Sequence, residues 1–525
     1  MEKRVAIVGA GTSGLLACKY TLQKGFNPTV FEAKESVGGL WTHTIESTKL
    51  QNAKETYQFS DFPWPSSVQE VFPTHTQVLR YLESYAQHFG IIPYIKFNSK
   101  VINIDYVGES YEEMESWDQW GGTGKPFGSR GKWHILVQDT KSCSTEAYQF
   151  EFVVLCIGRF SGLPNIPEFP PDQGPEVFNG KVIHSMDYSD MDKVSAAELI
   201  RRKRIAVVGS LKSAIDIAAE CANANGVEYP CTLIQRTAHW FLPSGSLWGV
   251  SLGFLCFNRF SELLVHKPGE TFPYKFLATM LSPLVHFQRW AVSKFAESYL
   301  RWKSPLKKYG VIPKHSFLQD FSSCRIGMLP EKFYDKVDEG SLVLKKSQSF
   351  SFYKEGLIIN GEEPQQLKAD LVILATGYKG DQKLKNMFES QIFRKYIVGS
   401  ATSIVPLYRQ IIHPRIPQVA VIGYAESYFN LGTSEIRCQW LAHFLDGNLE
   451  LPRIRDMEKE IIMWENNMKQ YDGRYFRNSG IASSNIWYND QLCKDMGCKH
   501  KRKKGIFAEY FQPYGPLDYA GLLSK

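Results

Sequence analysis

Three glycines near the start of the chain have a spacing that suits the binding of a dinucleotide. Gly9, Gly11 and Gly14 form a G-x-G-x-x-G pattern directly after an apolar, β-branched run, and Glu32 ends the next such run. The glycines allow a tight turn and a close approach of the backbone to a pyrophosphate. The following helix points its N-terminus at the phosphates, and the acid binds ribose hydroxyls. The pattern therefore predicts a strand, a turn and a helix that hold one dinucleotide.

A second stretch of the same plan, beginning with the strand 205–208, has lost two of its glycines. Gly209 is kept, but Leu211 and Ala214 stand where the second and third glycines belong. A side chain at position 211 restricts how near the backbone comes to a phosphate. Polar contacts are offered instead by the other residues of the turn, Ser210, Lys212 and Ser213. The sequence predicts an altered second dinucleotide site.

Arg236 suggests which dinucleotide the second site takes. It follows the strand 232–234, where a site for NADH would carry an acid. A guanidinium pairs with the 2′-phosphate of NADPH, whereas a carboxylate would repel it. We therefore expect NADPH rather than NADH, with an ordinary surface arginine at a strand end as the alternative.

The elements that position these residues predict an α/β fold with two Rossmann-like, dinucleotide-binding domains. Alternating stretches at 100–106, 132–138 and 148–157 predict an antiparallel insertion that returns to the first sheet. The stretch 369–378, an apolar strand that ends in Ala-Thr-Gly, is expected to bring the chain back to the first domain. We divide the chain into a discontinuous first domain, 1–195 and 331–525 with the C-terminal region, and an inserted second domain, 196–330.

Composition and charge exclude several classes of protein. The net charge of +7 over 525 residues is spread among interspersed acids and bases, so no nucleic acid partner is expected. The longest apolar region contains Arg259 and Glu262, which predicts no transmembrane segment. Ten scattered cysteines indicate reduced thiols and a cytoplasmic protein. The basic run KHKRKK at 499–504 leaves open peripheral contact with a membrane, such as the surface of the endoplasmic reticulum, an import signal, or plain solvated surface.

A spaced set of residues lies between the two dinucleotide patterns. Phe178, Gly180, His184 and Tyr188 fit F-x-G-x-x-x-H-x-x-x-[FY], and E-x-x-G-G-x-W occurs at 35–41. On these motifs the chain resembles the flavin-containing monooxygenases over nearly its whole length. The stretches SDFPWP, HSMDY, KSAID, TSEIR and QPYGPLDY are similar to the plant branch that contains N-hydroxypipecolic acid synthase. We expect the set to fix how the two domains face each other, with proton transfer by the lone histidine as the alternative.

The resemblance implies FAD at the first site and NADPH at the second. NADPH would pass hydride to FAD, the reduced flavin would capture O2 as a C4a-hydroperoxide, and a nucleophilic nitrogen or sulfur would take the distal oxygen. The implied FAD contacts are Gly9, Ala10, Gly11, Thr12, Ser13, Gly14, Glu32, Gly39, Leu40, Trp41, Thr376 and Gly377. The implied NADPH contacts are Gly209, Ser210, Leu211, Lys212, Ser213, Ala214 and Arg236.

Two adjacent amides are the candidates for contact with the activated oxygen. Gln51 occupies the position where many members of the resembled family carry a flavin-facing Asn, and Asn52 stands beside it. Either amide is a candidate. Because the cofactor supplies the oxygenation chemistry, we expect no metal site and no Ser-His-Asp arrangement.

The first expectation for the reaction is N-hydroxylation of an amine such as pipecolic acid, and the next is S-oxygenation of a thioether. A Baeyer-Villiger enzyme resembles the chain in plan but usually ends the signature with Trp and then Pro or Asp, where Tyr188 and Ser189 stand here. A flavin disulfide reductase would need a C-x-x-C pair, which the sequence lacks. The altered second glycine motif keeps a non-catalytic NADP(H)-sensing flavoprotein open.

Overall fold

The computed structural model describes residues 3–243, 245–263, 267, 276, 279–360, 363–398, 403–472, 481 and 484–522. A five-stranded parallel sheet carries the first glycine motif. Its strands are, in spatial order, β20 (Val419–Val421), β7 (Phe152–Leu155), β1 (Arg4–Val8), β2 (Asn27–Phe31) and β3 (Ile95–Lys96). Alternate residues of β1 enter two apolar cores, Val5 and Ile7 on one face and Ala6 and Val8 on the other. The sheet is therefore buried on both faces, as parallel sheets usually are.

The predicted antiparallel insertion is confirmed. It consists of β4 (Ser99–Val107), β5 (Lys132–Asp139) and β6 (Thr145–Phe150), paired antiparallel in that order. The third predicted stretch divides after Phe150, because β6 ends there and β7 turns back into the first sheet beside β1.

The second sheet is also parallel, which confirms the α/β class with two Rossmann-like units. Its spatial order is β15 (Leu342–Lys346), β10 (Cys231–Gln235), β9 (Ile205–Val208), β19 (Leu371–Leu374) and β8 (Lys181–His184). Three of these strands, β8, β15 and β19, lie outside the range 196–330 predicted for the second domain, so that predicted range is too narrow. The expectation that the strand within 369–378 brings the chain back to the first domain is wrong, because β19 pairs with β9 and β8 of the second sheet. Strand β20 returns to the first sheet, where it pairs with β7.

Smaller strands complete the β-structure. They are β11 (Phe241–Leu242) with β14 (Gly327–Met328), β12 (Ser246–Leu247) with β13 (Val250–Ser251), and the antiparallel β16 (Ser349–Tyr353), β17 (Gly356–Asn360) and β18 (Pro364–Lys368).

The first part of the chain, residues 12–263, contains several helices. They are α1 (Thr12–Gln23), α2 (His75–His88), α3 (Tyr111–Glu115), α4 (Ser185–Ser189), α5 (Lys193–Ile200), α6 (Lys212–Asn225), α7 (Leu252–Cys256) and α8 (Arg259–Leu263).

The later helices are α9 (Ser282–Lys303), α10 (Phe317–Ser322), α11 (Phe333–Glu339), α12 (Gly380–Asn386), α13 (Gln391–Val398), α14 (Asn430–Leu445), α15 (Ile454–Asp472), α16 (Asn485–Asp495) and α17 (Ile506–Phe511). Buried α14 packs along α1 and so supports the first glycine turn. Within the described ranges, no helix is both long and apolar enough to cross a bilayer.

Candidate functional site

The first glycine turn leaves a cradle that side chains would fill. A Cβ on Gly14 would lie 1.8 Å from the Gly9 carbonyl oxygen, and one on Gly9 would lie 2.6 Å from the Cys156 carbonyl oxygen. Gly9 also has φ of +101°, a conformation that favours glycine. Gly11 caps α1 without a side-chain hydrogen bond, so the first N–H groups of that helix remain for an anion. These features fit the pyrophosphate of a dinucleotide.

Glu32 stands beside that turn at the end of β2. Its carboxylate is buried and accepts hydrogen bonds from Ala10 N at 2.6 Å and Lys34 N at 2.9 Å. Each carboxylate oxygen keeps a further lone pair, which a ribose hydroxyl can use. The backbone bonds hold the acid where the resemblance requires it.

The segment around Gly39 folds back over the glycine turn. A Cβ on Gly39 would lie 2.9 Å from Gly11 Cα, and Gly38 N donates to Ala10 O at 3.1 Å. Trp41 Nε1 donates to the Tyr57 hydroxyl at 2.8 Å, to which Thr12 also bonds. Leu40 is exposed and Ser13 packs against Gly423 at the end of β20. The structure thus gathers the predicted residues from 9–14, 32 and 39–41 at one edge of the first sheet.

Lys383 is a residue at this edge that sequence reasoning missed. Its Nζ donates to Ile157 O at 2.5 Å and to Ser161 Oγ at 2.9 Å, just beyond β7. Burial lowers the pKa of the Lys383 ammonium to about 8, while nearby Glu32 opposes that shift. No local motif marks this lysine, because it comes from α12, far along the chain from the elements it contacts.

Thr376 and Gly377 lie between the two sheets rather than on the first glycine turn. They follow β19, where Thr376 Oγ1 donates to Asn165 O at 2.5 Å and Asn165 N donates to Gly377 O at 2.8 Å. The preceding Ala375 carbonyl oxygen would be 2.4 Å from a Cβ on Gly209. Their assignment to FAD stays a prediction.

The two candidate amides differ in what they offer. Gln51 Oε1 accepts from Met328 N at 3.1 Å, and Asn52 Nδ2 donates to Tyr428 O at 2.5 Å. The backbone partners fix which end of each amide faces them. Among the described residues, nothing accepts from Gln51 Nε2, so both N–H donors of Gln51 are uncommitted, whereas one of the two N–H donors of Asn52 is engaged by Tyr428 O.

The second glycine turn is closely packed against β19. Ala214 takes the place of the third glycine, and its methyl group would lie 2.8 Å from a Cβ on Gly209. Leu211 is exposed and caps α6 without a side-chain hydrogen bond; Ser210 is half-buried and Ser213 is exposed. The N-terminus of α6 therefore remains open toward solvent, as a phosphate site requires.

The two basic residues of this site are in different situations. Lys212 Nζ lies 2.5 Å from Asp216 Oδ1, one turn along α6, in a pair whose carboxylate is largely buried. Arg236 is exposed directly after β10, and it makes no ion pair with any residue of the described ranges. The guanidinium is thus the cation more available to a 2′-phosphate.

The signature residues belong to the second sheet rather than to a connector. Phe178 packs on Gly180, where a Cβ would lie 2.3 Å from the Phe178 ring and 2.6 Å from Asp370 O. His184 ends β8 and caps α4, its Nδ1 accepting from Met186 N at 3.1 Å. Burial lowers the pKa of His184, against the effect of Asp187. These contacts favour a structural histidine.

The last signature residue, Tyr188, donates from its hydroxyl to Glu220 Oε1 at 2.7 Å and so fastens α4 to α6. The signature therefore positions the helix that carries the second glycine turn.

A buried cluster of ligand-type residues was missed by the sequence analysis. His239 Nδ1 lies 2.9 Å from Asp320 Oδ1, and His315 Nε2 lies 2.7 Å from Asp320 Oδ2. Trp240 N also donates to Asp320 at 2.9 Å. Burial raises the pKa of the Asp320 carboxyl, but hydrogen bonds from the two imidazoles outweigh that effect and lower the pKa to about 2. Three such groups can hold a divalent metal ion. The two histidines and Trp240 N already satisfy the Asp320 carboxylate without a metal ion. The expectation that the protein has no metal site stays a prediction.

Comparison with known proteins agrees with this geometry. A family model described as flavin-binding monooxygenase-like matches residues 2–507. A protein of Arabidopsis thaliana named as probable flavin-containing monooxygenase 1 is 42% identical over 522 residues, covering 99% of this chain and 96% of the relative.

Solved structures share the fold at low identity. An S-allyl-L-cysteine S-oxygenase from Allium sativum superimposes with a TM-score of 0.57 at 17% identity, covering 95% of this chain and 89% of its own. A steroid monooxygenase bound to NADP gives a TM-score of 0.63 at 17% identity, covering 94% and 98%.

The family match extends over both glycine turns, the signature and the candidate amides. It confirms the expected class of enzyme, a monooxygenase, and it confirms a flavin as its cofactor. Matched over residues 2–507 and closely similar to a plant relative, the chain belongs to the flavin-binding monooxygenase-like family.

Proposed function

We propose that the protein uses NADPH and O2 to N-hydroxylate an amine that bears a carboxylate, with pipecolic acid as the example. The supporting observation is that stretches which resemble the N-hydroxypipecolic acid synthase branch meet in one buried cluster. Ser60, in SDFPWP, donates from N and Oγ to the Glu435 carboxylate of TSEIR at 2.8 and 2.9 Å. Tyr20 of α1 donates to the same carboxylate at 2.7 Å.

This cluster has a consequence for the reaction site. Glu435 is buried in α14, and burial raises the pKa of its carboxyl group. The hydrogen bonds of Glu435 join α14 and α1 to Ser60, which lies in the segment that precedes α2. Gln51 lies earlier in the same segment. The branch stretches therefore join the segment that precedes α2 to α1, the helix that follows the first glycine turn.

When bound, FAD reduced by NADPH supplies the activated oxygen. The chain contributes binding, orientation and exclusion of water. Gln51 Nε2 is the donor available to hold an oxygen atom near the substrate, because Met328 N fixes the opposite end of the amide. Asn52 instead fastens the same loop to Tyr428. Arg236 binds the 2′-phosphate of NADPH at the end of β10.

The test is product analysis by mass spectrometry with purified, FAD-loaded protein, NADPH and a panel of cyclic amino acids, amines, thioethers and cyclic ketones. The proposal predicts that pipecolic acid is converted to its hydroxylamine and that the amount of NADPH oxidised equals the amount of product formed. N-hydroxylation would be overturned if thioethers gave oxygenated products while the cyclic amino acids gave only hydrogen peroxide, without product. Lactone from the ketones would favour Baeyer-Villiger chemistry, and no substrate-stimulated NADPH oxidation would favour a sensor.

S-oxygenation is the second candidate. One structural relative is named for S-oxygenation of S-allyl-L-cysteine, itself an amino acid. A soft sulfur needs the same positioned oxygen as an amine, so the residues described above serve either nucleophile. The thioether arm of the panel decides between them.

We also propose that the protein acts in the cytoplasm and touches anionic membranes through the run 499–504. Two bases of the run are bonded to the fold: Arg502 Nε donates to Asp518 O at 2.8 Å, and Lys503 Nζ donates to the Asp518 carboxylate at 2.8 Å. The run is therefore not an extended import signal. Exposed Lys501 and Lys504 lead into α17, where Ile506 is 82% exposed and suits the lipid interface. Sedimentation with phosphatidylserine vesicles should exceed that with neutral vesicles, and equal binding to both would refute the proposal.

A further inference from the structure

An acid in the segment that follows β20 lies between the first glycine turn and the candidate amides. Three residues before Glu426, a Cβ on Gly423 would lie 2.5 Å from Ser13 Oγ in the first glycine turn. Two residues after Glu426, Tyr428 O accepts the amide of Asn52 at 2.5 Å. A chain spans at most about 3.6 Å per residue, so Glu426 Cα lies within roughly 11 Å of Gly423 Cα and roughly 7 Å of Tyr428 Cα. The backbone thus confines Glu426 to the space between the two.

Two further segments bring charge to the same acid. Arg159 comes from the segment after β7, and Arg325 lies three residues before Met328, which holds Gln51. Burial raises the pKa of the Glu426 carboxyl to about 7, while the charges of both arginines oppose that shift. Burial also raises the pKa of the Tyr428 hydroxyl, and Glu426 adds to that effect. In the part of the chain that the structure describes, these are the charged and titratable groups that act on the carboxyl.

Glu426 differs from the other acids whose pKa is raised by burial. Each of the others in the described ranges accepts a hydrogen bond from a backbone N–H, a hydroxyl or a cation; they are Asp216, Glu262, Glu435 and Glu460. Only the backbone of Glu426 is engaged, through its carbonyl oxygen, which accepts from Ile481 N at 3.0 Å. No described residue donates to its partly buried carboxylate. The lone pairs of the carboxylate are therefore available to a ligand.

An amine substrate has a need that such an acid meets. Only the neutral amine has a lone pair with which to take oxygen. An aliphatic ammonium has a pKa near 10.4, so roughly one molecule in 2,500 is neutral at pH 7. A carboxylate whose pKa lies near the working pH is suited to remove that proton, and its negative charge binds the ammonium first. A thioether sulfur carries no proton and has no such need.

We propose that Glu426 is a catalytic residue that removes the proton from the substrate ammonium. The N–H bond breaks and its electron pair stays on nitrogen, while an O–H bond forms on the Glu426 carboxylate. Nothing is oxidised or reduced in this step, and the proton passes to water when the product leaves. The nitrogen lone pair is then free to take oxygen. The inference rests on the proposed function and names its substrate class as a protonated amine.

The experiment compares Glu426→Gln and Glu426→Asp with Glu450→Gln, which changes an exposed acid beyond α14. Each FAD-loaded protein receives pipecolic acid or thiane-2-carboxylic acid, in which sulfur replaces the ring nitrogen. A general base contributes about 10²- to 10⁴-fold, so Glu426→Gln should lower kcat for pipecolic acid by about hundredfold or more. The same variant should leave kcat for the thioether and the FAD content near wild type. Glu426→Asp should restore part of the amine rate, and Glu450→Gln should match the wild type.

The dependence on pH supplies a second readout. In the wild type, kcat/KM for pipecolic acid should rise with pH through an apparent pKa of about 7, because Glu426 must be ionised to accept a proton. Binding of an ammonium favours the ionised acid, so calorimetry in two buffers of different ionisation enthalpy should show release of about one proton at pH 6 and little at pH 8. Glu426→Gln should abolish both the rising limb and the proton release.

Equal losses for amine and thioether in Glu426→Gln, loss of FAD from that variant, the same losses in Glu450→Gln, or wild-type binding of pipecolic acid without proton release at pH 6 would overturn the inference. The two proposals fail separately. N-hydroxylation that continues at the wild-type rate in Glu426→Gln removes the base and leaves the function. Sulfoxide as the sole wild-type product, with proton release on binding pipecolic acid that Glu426→Gln abolishes, removes N-hydroxylation and leaves Glu426 as the site that binds the ammonium. Wild-type protein that binds no amine would overturn both.

Discussion

Replacement of Arg236 by Ala should weaken NADPH binding selectively. The guanidinium is exposed directly after β10 and has no acid partner in the described ranges, so its removal leaves no buried charge behind. A hydrogen bond to a charged group contributes about 1.5 to 3 kcal/mol, equivalent to roughly tenfold to hundredfold in affinity. We expect Kd for NADPH to rise by that factor while Kd for NADH and the FAD content stay near wild type.

The structure also predicts how the neighbouring lysine behaves. Lys212 is paired with Asp216 at 2.5 Å, and the burial of that carboxylate raises its pKa despite the pair. Breaking the pair would leave Asp216 uncompensated, so Lys212 is poorly placed to substitute for the guanidinium. The double variant Arg236→Ala with Lys212→Ala should therefore add little to the single loss in NADPH affinity.

The assay is direct titration of both nucleotides into FAD-loaded protein, repeated as steady-state KM. Arg201→Ala is the matched control, since Arg201 is an exposed arginine before the opposite end of β9. Equal losses of NADPH and NADH affinity in Arg236→Ala would show that the residue supports the fold. An unchanged NADPH affinity in the double variant, or the same loss in Arg201→Ala, would refute the assignment.

Gly11→Val should yield colourless protein, because even a Cβ at this position lies 3.3 Å from Gly39 Cα and a larger group enters the pyrophosphate site; full flavin absorbance in the variant would contradict the FAD assignment. Gln51→Ala should lower the product formed per NADPH oxidised and raise peroxide release more than Asn52→Ala does, since both Gln51 Nε2 donors are uncommitted while Asn52 Nδ2 is bonded to Tyr428 O; equal coupling in both variants would remove the distinction. Asp320→Asn should lower the free energy of unfolding by about 3 to 5 kcal/mol in denaturant melts, as it breaks a buried ionic cluster, and a change under about 1 kcal/mol would refute that account. Burial lowers the pKa of His413 to about 3, so the unfolded chain binds a proton near pH 6.5 that the folded chain does not. The contribution of His413 to the free energy of unfolding should be fully present above pH 6.5 and fall by about 2 kcal/mol when the pH is lowered to 5. His413→Gln should reduce this dependence of the free energy of unfolding on pH.

The sequence alone determined the features that depend on local chemistry. Gly9, Gly14 and Glu32 predicted the first dinucleotide turn, because the close approaches there exclude any Cβ and the acid must end the second strand. The alternating stretches of the insertion were equally readable, since a half-exposed antiparallel strand carries its period in its own residues.

Only the tertiary structure decided which sheet each later strand joins and which distant groups share a site. The run that forms β19 looks the same whether it enters the first or the second sheet, because a strand buried on both faces is apolar throughout. The difference between Gln51 and Asn52 depends on Met328 and Tyr428, which are hundreds of residues away. Lys383 and the Asp320 cluster depend likewise on long-range packing, which no spacing along the chain records.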